Sequence, residues 1–321
     1  MRILLTRKLH EFAMKELKKR YDVYVHNGAI PMPKGKLLSK TSQIDGLICF
    51  PYDMIDKEII ANAKKLKVIS TYSVGYDHID LQKAKSRKIK IGYTPDVLTN
   101  ATADLTVALL LDSMRRITEG DRIIRSGDWK VVFGPHDYVG SDLEGKTVGI
   151  FGMGRIGRAV AKRIRPFGME ITYHSRNRLP ENEGKKLNAK YVSLDELFEK
   201  SDAVTIHIPY TKDTHGIVNA CLLKKMKKNS HLINTSRGKI INEKDLIRAL
   251  RSKWIAGAAL DVFEKEPIGK NHELVKIKNA ILAPHIGSST AETRKKMAEI
   301  TIKNLIYGLE GKKMVYSVNL D

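Results

Sequence analysis

Six consecutive residues, Gly152-Met153-Gly154-Arg155-Ile156-Gly157, constrain the fold of this chain more than any other feature. They follow an apolar run over 147–151, precede a helical pattern over 158–165, and are succeeded by a second apolar run ending near His174. A bare G-x-G-x-x-G is weak evidence, because many turns contain glycines. Set between a strand and a helix, with a second strand following, it is the fingerprint of a dinucleotide site. The first glycine permits the tight turn, the second lets the backbone approach a pyrophosphate, and the third lets the helix pack closely on its strand. The helix N-terminus then faces the phosphate charge. The competing reading is a glycine-rich turn without a ligand.

Such a turn belongs in a parallel sheet, and the rest of the chain has the rhythm of one. Over the first hundred residues, strand-like runs at 3–6, 21–25, 46–50, 68–70 and 89–92 alternate with helix-like segments at 11–20, 56–64 and 81–86. Strands at 147–151, 171–173, 203–208, 231–234, 255–260 and 281–282 form a second series of continuous apolar runs, as expected for a sheet covered on both faces. Between the two series, residues 101–124 lack proline and predict one long helix. Residues 291–309 predict an amphipathic helix near the end.

The 321 residues suffice for about two domains, each with its own core. No apolar run approaches the ~18 residues of a membrane span, and the charged N-terminus is unlike a signal peptide. Two cysteines, Cys49 and Cys221, exclude a disulfide framework and a zinc ribbon, and favour a reducing, cytoplasmic compartment. No metal site is expected. The net charge of +21 raises the question of nucleic acid. However, the basic excess over residues 1–100, 101–200 and 201–321 is +9, +3 and +9, with no basic arm or tail. The densest run, Lys224-Lys225-Met226-Lys227-Lys228, falls where a short helix should end, a place that favours cations. A lysine-rich surface that attracts small anions is the preferred reading; neither nucleic acid nor membrane is expected as a partner.

The second strand ends in His174-Ser175-Arg176-Asn177-Arg178, where an NAD site would place Asp or Glu against the ribose 2′-hydroxyl. A hydroxyl donor followed by two guanidiniums suits a 2′-phosphate instead, which a carboxylate would repel. Ser175, Arg176 and Arg178 therefore predict NADP(H) as the preferred cofactor, with NAD(H) possible. The alternative is two exposed arginines, with the cofactor chosen elsewhere.

Three charged residues follow late strands of the second series: Arg237 in Asn234-Thr235-Ser236-Arg237-Gly238, Glu266 in Asp261-Val262-Phe263-Glu264-Lys265-Glu266-Pro267, and His285 in Pro284-His285-Ile286-Gly287-Ser288. Loops beyond the carboxyl ends of parallel strands line the ligand crevice. Their types suit carbonyl reduction. Hydride addition leaves an alkoxide that must be protonated, a role for histidine. A carboxylate orients the ring and favours its charged form, and an arginine polarises the carbonyl or forks onto a neighbouring carboxylate. A lone histidine among the ten is more often structural; the ordered trio raises the odds.

The order G-M-G-R-I-G, N-T-S-R-G, L-D-V-F-E-K-E-P, P-H-I-G-S-S-T resembles the D-isomer-specific 2-hydroxyacid dehydrogenases across nearly the whole chain. Ser73-Val74-Gly75-Tyr76-Asp77-His78-Ile79-Asp80, Gly92-Tyr93-Thr94-Pro95-Asp96-Val97-Leu98-Thr99, Ala101-Thr102-Ala103-Asp104-Leu105 and Arg125-Ser126-Gly127-Asp128-Trp129 resemble the glyoxylate/hydroxypyruvate reductase branch. The resemblance implies Arg237, Glu266 and His285 as the catalytic set. It implies that the backbone N–H groups of Val74 and Gly75 hold the substrate carboxylate alongside Arg237. It further places Pro209 and Thr214 on the adenine side, and Thr102, Thr235 and Asp261 near the nicotinamide and its ribose, with Gly152, Gly154, Arg155, Ile156 and Gly157 at the pyrophosphate.

The implied fold is α/β, with two doubly wound parallel-sheet domains. A Rossmann cofactor domain (101–288) is inserted in a flavodoxin-like substrate domain (1–100 and 289–321). A homodimer through 101–125 is implied too. The implied activity is reduction of small anionic 2-oxo acids, glyoxylate to glycolate and hydroxypyruvate to D-glycerate. The segment between Trp129 and Leu143 is shorter than is usual in that branch, which bears on substrate choice. Phosphoglycerate dehydrogenase is the nearest enzymatic rival, disfavoured because the chain ends soon after its final helix. Glu rather than Gln at 266 disfavours formate dehydrogenase. A dinucleotide-sensing module like the family's corepressors is the alternative of another class.

Overall fold

Strands that bury both faces need apolar residues at successive positions, and helices must cover each face. The first sheet is built this way. A computed structural model of the chain describes residues 1–29 and 31–320. In chain order its first elements are β1 (Arg2–Leu5), α1 (Glu11–Arg20), β2 (Asp22–Val25), α2 (Lys34–Thr41), β3 (Gly46–Cys49), α3 (Lys57–Asn62), β4 (Val68–Thr71), α4 (Leu81–Ser86) and β5 (Lys90–Gly92). All pairings are parallel, in the order β2-β1-β3-β4-β5. Ile3, Leu5, Ile48 and Val68 face one core and Leu4, Leu47, Cys49 and Ile69 the other, so the alternation of each strand feeds both layers. Asp56 caps α3 by accepting from the Glu58 and Ile59 N–H groups, and Asp80 caps α4 through Lys83 N–H.

The second series comprises α5 (Thr99–Arg115), α6 (Ile117–Ser126), β6 (Thr147–Phe151), α7 (Arg155–Ile164), β7 (Glu170–His174), α8 (Glu181–Leu187), β8 (Ala189–Tyr191), α9 (Leu194–Lys200), β9 (Ala203–Ile206), α10 (Ala220–Lys225), β10 (His231–Asn234), α11 (Glu243–Arg251), β11 (Gly257–Leu260) and β12 (Ala280–Leu282). Its seven parallel strands run β12-β11-β10-β9-β6-β7-β8, so the order reverses at β6. Such a reversal opens a crevice beyond the carboxyl ends of the strands. The last helix, α12 (Ala291–Leu309), belongs to the first unit. The chain thus divides into Met1–Leu98 with Ser288–Asp321, and Thr99–Gly287. Leu305 and Ile302 pack on the first sheet, where Gly46 makes room: a Cβ there would sit 2.8 Å from a Leu305 methyl. Among the described residues, no helix is long and apolar enough to cross a membrane.

The expected single helix over 101–124 is two. Arg116 adopts the left-handed conformation (φ 57°), and the Asp112 carboxylate accepts from the N–H and hydroxyl of Thr118, opening a new helix there. Proline is not needed for such a break. A carboxylate six residues upstream can compete for the backbone as a cap does. The short elements α2 and β8 escaped the sequence pattern. One is lysine-rich with only Leu37 and Thr41 buried, and the other is nowhere fully buried.

His231 opens β10, buried, with Nδ1 2.7 Å from Ser113 Oγ. Burial pushes its imidazole down to about 4. An unfolded histidine titrates at ~6.5. Between these values the unfolded chain binds a proton that the folded one refuses, so stability falls as pH drops from ~6.5 towards 4. Urea midpoints at pH 7 and pH 5 should show a smaller acid loss for His231→Asn than for wild type. An equal loss would assign the acid sensitivity to other groups.

Candidate active site

The glycine turn has the shape its spacing requires. Gly152 has φ 105°, a backbone region closed to most side chains, and a Cβ there would lie 2.7 Å from the His207 carbonyl carbon. A Cβ on Gly157 would lie 2.1 Å from Gly152 O, so the helix rests directly against the turn. Gly154, the N-cap of α7, is the opposite case. It is exposed, with nothing within 4 Å of its Cβ direction. Two glycines are there for packing and one leaves open space at a helix N-terminus. A pyrophosphate fits that space, with Arg155 and Ile156 opening the helix beside it. At the end of β7, the Ser175 hydroxyl donates to Asn177 O (2.6 Å), and the Arg178 guanidinium lies 4.1 Å above the Tyr191 ring, while Arg176 is exposed. Thr214 donates to Pro209 O (2.9 Å), closing the turn after β9.

The loops after β10, β11 and β12 hold the charged trio. His285 Nδ1 lies 2.6 Å from Glu266 Oε2, and both side chains are largely buried. A carboxylate accepts, so Nδ1 carries the proton and exchange with a ligand is left to Nε2. Glu266 is itself anchored, its Oε1 accepting from Phe263 N–H (2.9 Å). His285 has φ 53°, uncommon for a residue with a side chain. The next two residues hold it there: Ile286 and Gly287 N–H donate to the two oxygens of Asp261 at 2.7 and 2.8 Å. Burial pushes the Asp261 carboxyl above its usual range, while the two amide donors and the neighbouring His285 draw it back. Thr102 closes the loop from α5, donating to Gly287 O (3.1 Å).

Arg237 follows β10 in a turn built by Asn234, whose amide donates to Arg237 O while its oxygen accepts from Ser236 N–H. Gly238 then passes under the β11 loop, where a Cβ would sit 1.9 Å from the Phe263 carbonyl carbon. This contact sets the Arg237 loop against the loop that carries Glu266. Thr235 shares a 2.8 Å hydrogen bond with Thr106 on α5. Sequence reasoning passed over Thr106, Asn234 and Tyr191. Thr106 was the most visible of them, a threonine four residues after Thr102 on an otherwise apolar helix. Val74 and Gly75 lie in the first unit, on the loop after β4. Among the described residues, no group of three or more His, Cys, Asp or Glu is placed to hold a metal ion.

Residues 107–287 match the family model described as D-isomer specific 2-hydroxyacid dehydrogenase, NAD binding domain. The chain belongs to the D-isomer specific 2-hydroxyacid dehydrogenase family. A glyoxylate reductase of Thermococcus litoralis is 47% identical over 323 residues, covering 100% of this chain and 97% of that protein. Among solved structures, a glyoxylate reductase from Paecilomyes thermophila is 33% identical with a TM-score of 0.87, covering 99% of this chain and 98% of that one. An NADPH-dependent glyoxylate/hydroxypyruvate reductase from Sinorhizobium meliloti, in complex with NADP and malonate, is 30% identical with a TM-score of 0.85, covering 99% and 97%. Like the rest of this dehydrogenase family, the chain is an oxidoreductase built around a nicotinamide dinucleotide, which the glycine turn fits.

The contact between Gly157 and Gly152 yields a direct test. Gly157→Ala must push the helix off the turn, at a cost of about 1–3 kcal/mol. Titration of dinucleotide fluorescence should show binding of NADPH and NADH weakened about tenfold or more. Unchanged affinity for both would remove the turn from the cofactor site.

Proposed function

We propose that this dehydrogenase reduces small 2-oxo acids with NADPH, above all glyoxylate to glycolate and hydroxypyruvate to D-glycerate. The observation that carries the reading is the Glu266–His285 hydrogen bond, on loops beyond the carboxyl ends of a parallel sheet. Full-length similarity to proteins named glyoxylate reductase supports the substrate class.

When bound, the reduced nicotinamide supplies a hydride to the keto carbon. His285 delivers a proton from Nε2 to the oxygen, and Glu266 holds Nδ1–H so that the ring keeps this orientation and its positive charge is offset. Arg237 stabilises the negative charge that develops on the substrate oxygen and pairs with the substrate carboxylate. The N–H groups of Val74 and Gly75 hold that carboxylate. In support, neither has an acceptor among the described residues, the condition for an anion nest. Thr102, Thr235 and Asp261 border the nicotinamide ribose, and Pro209 and Thr214 the adenine. His285→Ala should lower kcat by about 10²–10⁴ with NADPH affinity retained. Near-normal turnover would remove His285 from the proton-donor role.

The preference for NADPH rests on the loop after β7, which has no carboxylate where a 2′-phosphate would lie. With Arg178 stacked on Tyr191, Arg176 is the guanidinium best placed to pair with the phosphate. Arg176→Ala should raise KM for NADPH about tenfold and leave KM for NADH within about twofold. An equal rise in both would overturn the assignment.

We also place a homodimer interface here, in a cytoplasmic enzyme whose two cysteines are free. The supporting surface lies beyond α5. Ile117, Ile124, Trp129, Val131, Val132, Phe133 and Val139 are all exposed, Val132 at 88%, whereas α5 itself is largely buried within its unit. So extended an apolar surface marks an interaction site. Sedimentation should give a dimer for wild type and a monomer for Val132→Glu with Val139→Glu; a monomeric wild type would overturn the reading.

A further inference from the structure

The loop after β4 is held from below by a chain of hydrogen bonds whose direction can be derived. Ser73 Oγ lies 2.6 Å from Gly75 O, Thr71 Oγ1 lies 2.8 Å from Ser73 Oγ, and His78 Nε2 lies 3.0 Å from Thr71 Oγ1. Thr71, Ser73 and His78 are all buried. A carbonyl has no proton, so the hydrogen in the first contact is that of Ser73. A hydroxyl has only one hydrogen, so Thr71 must donate to Ser73. Thr71 then has none left for the imidazole, and His78 Nε2 must carry a proton. The order is therefore His78 Nε2–H to Thr71, Thr71 O–H to Ser73, and Ser73 O–H to Gly75 C=O.

The surroundings favour this polarity. Cys49 Sγ lies 3.8 Å from the same Nε2. Burial pushes its thiol far up, so it stays neutral and offers no competing charge. The carbonyl before the loop tip is also engaged, Ser73 O accepting from Thr94 N–H at 2.8 Å. With the carbonyls of Ser73 and Gly75 both occupied, the two peptides of the tip cannot rotate freely. The N–H groups of Val74 and Gly75 are the donors left without an acceptor among the described residues.

We propose that His78, Thr71 and Ser73 are positioning residues for substrate affinity: their one-way hydrogen-bond chain locks the loop so that the Val74 and Gly75 amides meet a 2-oxo acid carboxylate already oriented. The proposal rests on the reading of those amides as the carboxylate site. Successive bonds in such a chain polarise one another, and pre-orientation removes an ordering cost from binding. The chain touches neither the reacting carbon nor the proton donor, so it acts on ground-state and transition-state binding equally. That is the signature of a change in KM without a change in kcat.

The test uses the full-length enzyme with NADPH, glyoxylate as the varied substrate and oxamate as an unreactive carboxylate. Thr71→Val keeps the shape of the side chain and breaks the chain at its centre. It should raise KM for glyoxylate and Ki for oxamate about five- to tenfold, the size of one weakened hydrogen bond. kcat and NADPH affinity should stay within about twofold, and Thr71→Ser should restore both constants. Ser73→Ala should reproduce the effect, and serves alone if Thr71→Val lowers the melting temperature enough to prevent assay. Gly75→Pro deletes an amide donor and reports on the carboxylate site itself. If Gly75→Pro weakens oxamate while Thr71→Val and Ser73→Ala leave KM unchanged, the positioning role is overturned and the carboxylate site stands. If Gly75→Pro also leaves oxamate binding unchanged, the carboxylate site falls and the positioning role with it.

Discussion

Parallel pairing is the constraint on which the second unit depends. Because β6, β9, β10, β11 and β12 all run the same way, every loop that leaves their carboxyl ends emerges on one edge. The glycine turn, the Arg237 turn, the Glu266 loop and the His285 loop thereby share an edge without any being long. Parallel pairing requires crossover helices, and the helices require both sheet faces to be apolar. That is why the strand sequences are continuous apolar runs such as His231–Asn234 and Gly257–Leu260, buried throughout.

Within that edge, backbone groups do as much as side chains. Asp261 reaches no reacting group in the arrangement described; it accepts two consecutive N–H groups and so holds His285 in a conformation that a free chain rarely samples. Gly238 and Gly157 act by what they lack, since a single carbon at either would separate two loops that must touch. The first unit has its own version of this device, in which a histidine and two hydroxyls fix the carbonyls of a loop and leave its amides open. Charged groups of the site therefore sit on rigid supports, a requirement for electrostatic stabilisation that involves no reorganisation during reaction.

How much of this is legible in the sequence depends on the range of the cause. The glycine turn is legible because three glycines at fixed spacing solve a local steric problem, and the strands because continuous burial leaves a continuous apolar run. The helix at 291–309 is legible because its apolar positions recur at helical spacing over five turns, as observed for Ala291–Leu309. The break at Arg116 was not legible. It is set by one carboxylate, Asp112, turning onto Thr118, and no periodicity records that. Nor was the pairing of Arg178 with Tyr191, because thirteen intervening residues must fold through α8 before the ring arrives beneath the guanidinium.

By itself, then, the order of residues determined the fold class, the position of the dinucleotide turn and the chemical types in the late loops, because each is encoded by local sterics or by an apolar period. Only the tertiary structure decided that His285 meets Glu266 through Nδ1, that its backbone is left-handed, and that Thr106, Asn234 and Thr71 support the loops. Those depend on the last few ångströms of packing between segments far apart in the chain. The sequence names the groups that meet there but does not encode the angle at which they do so.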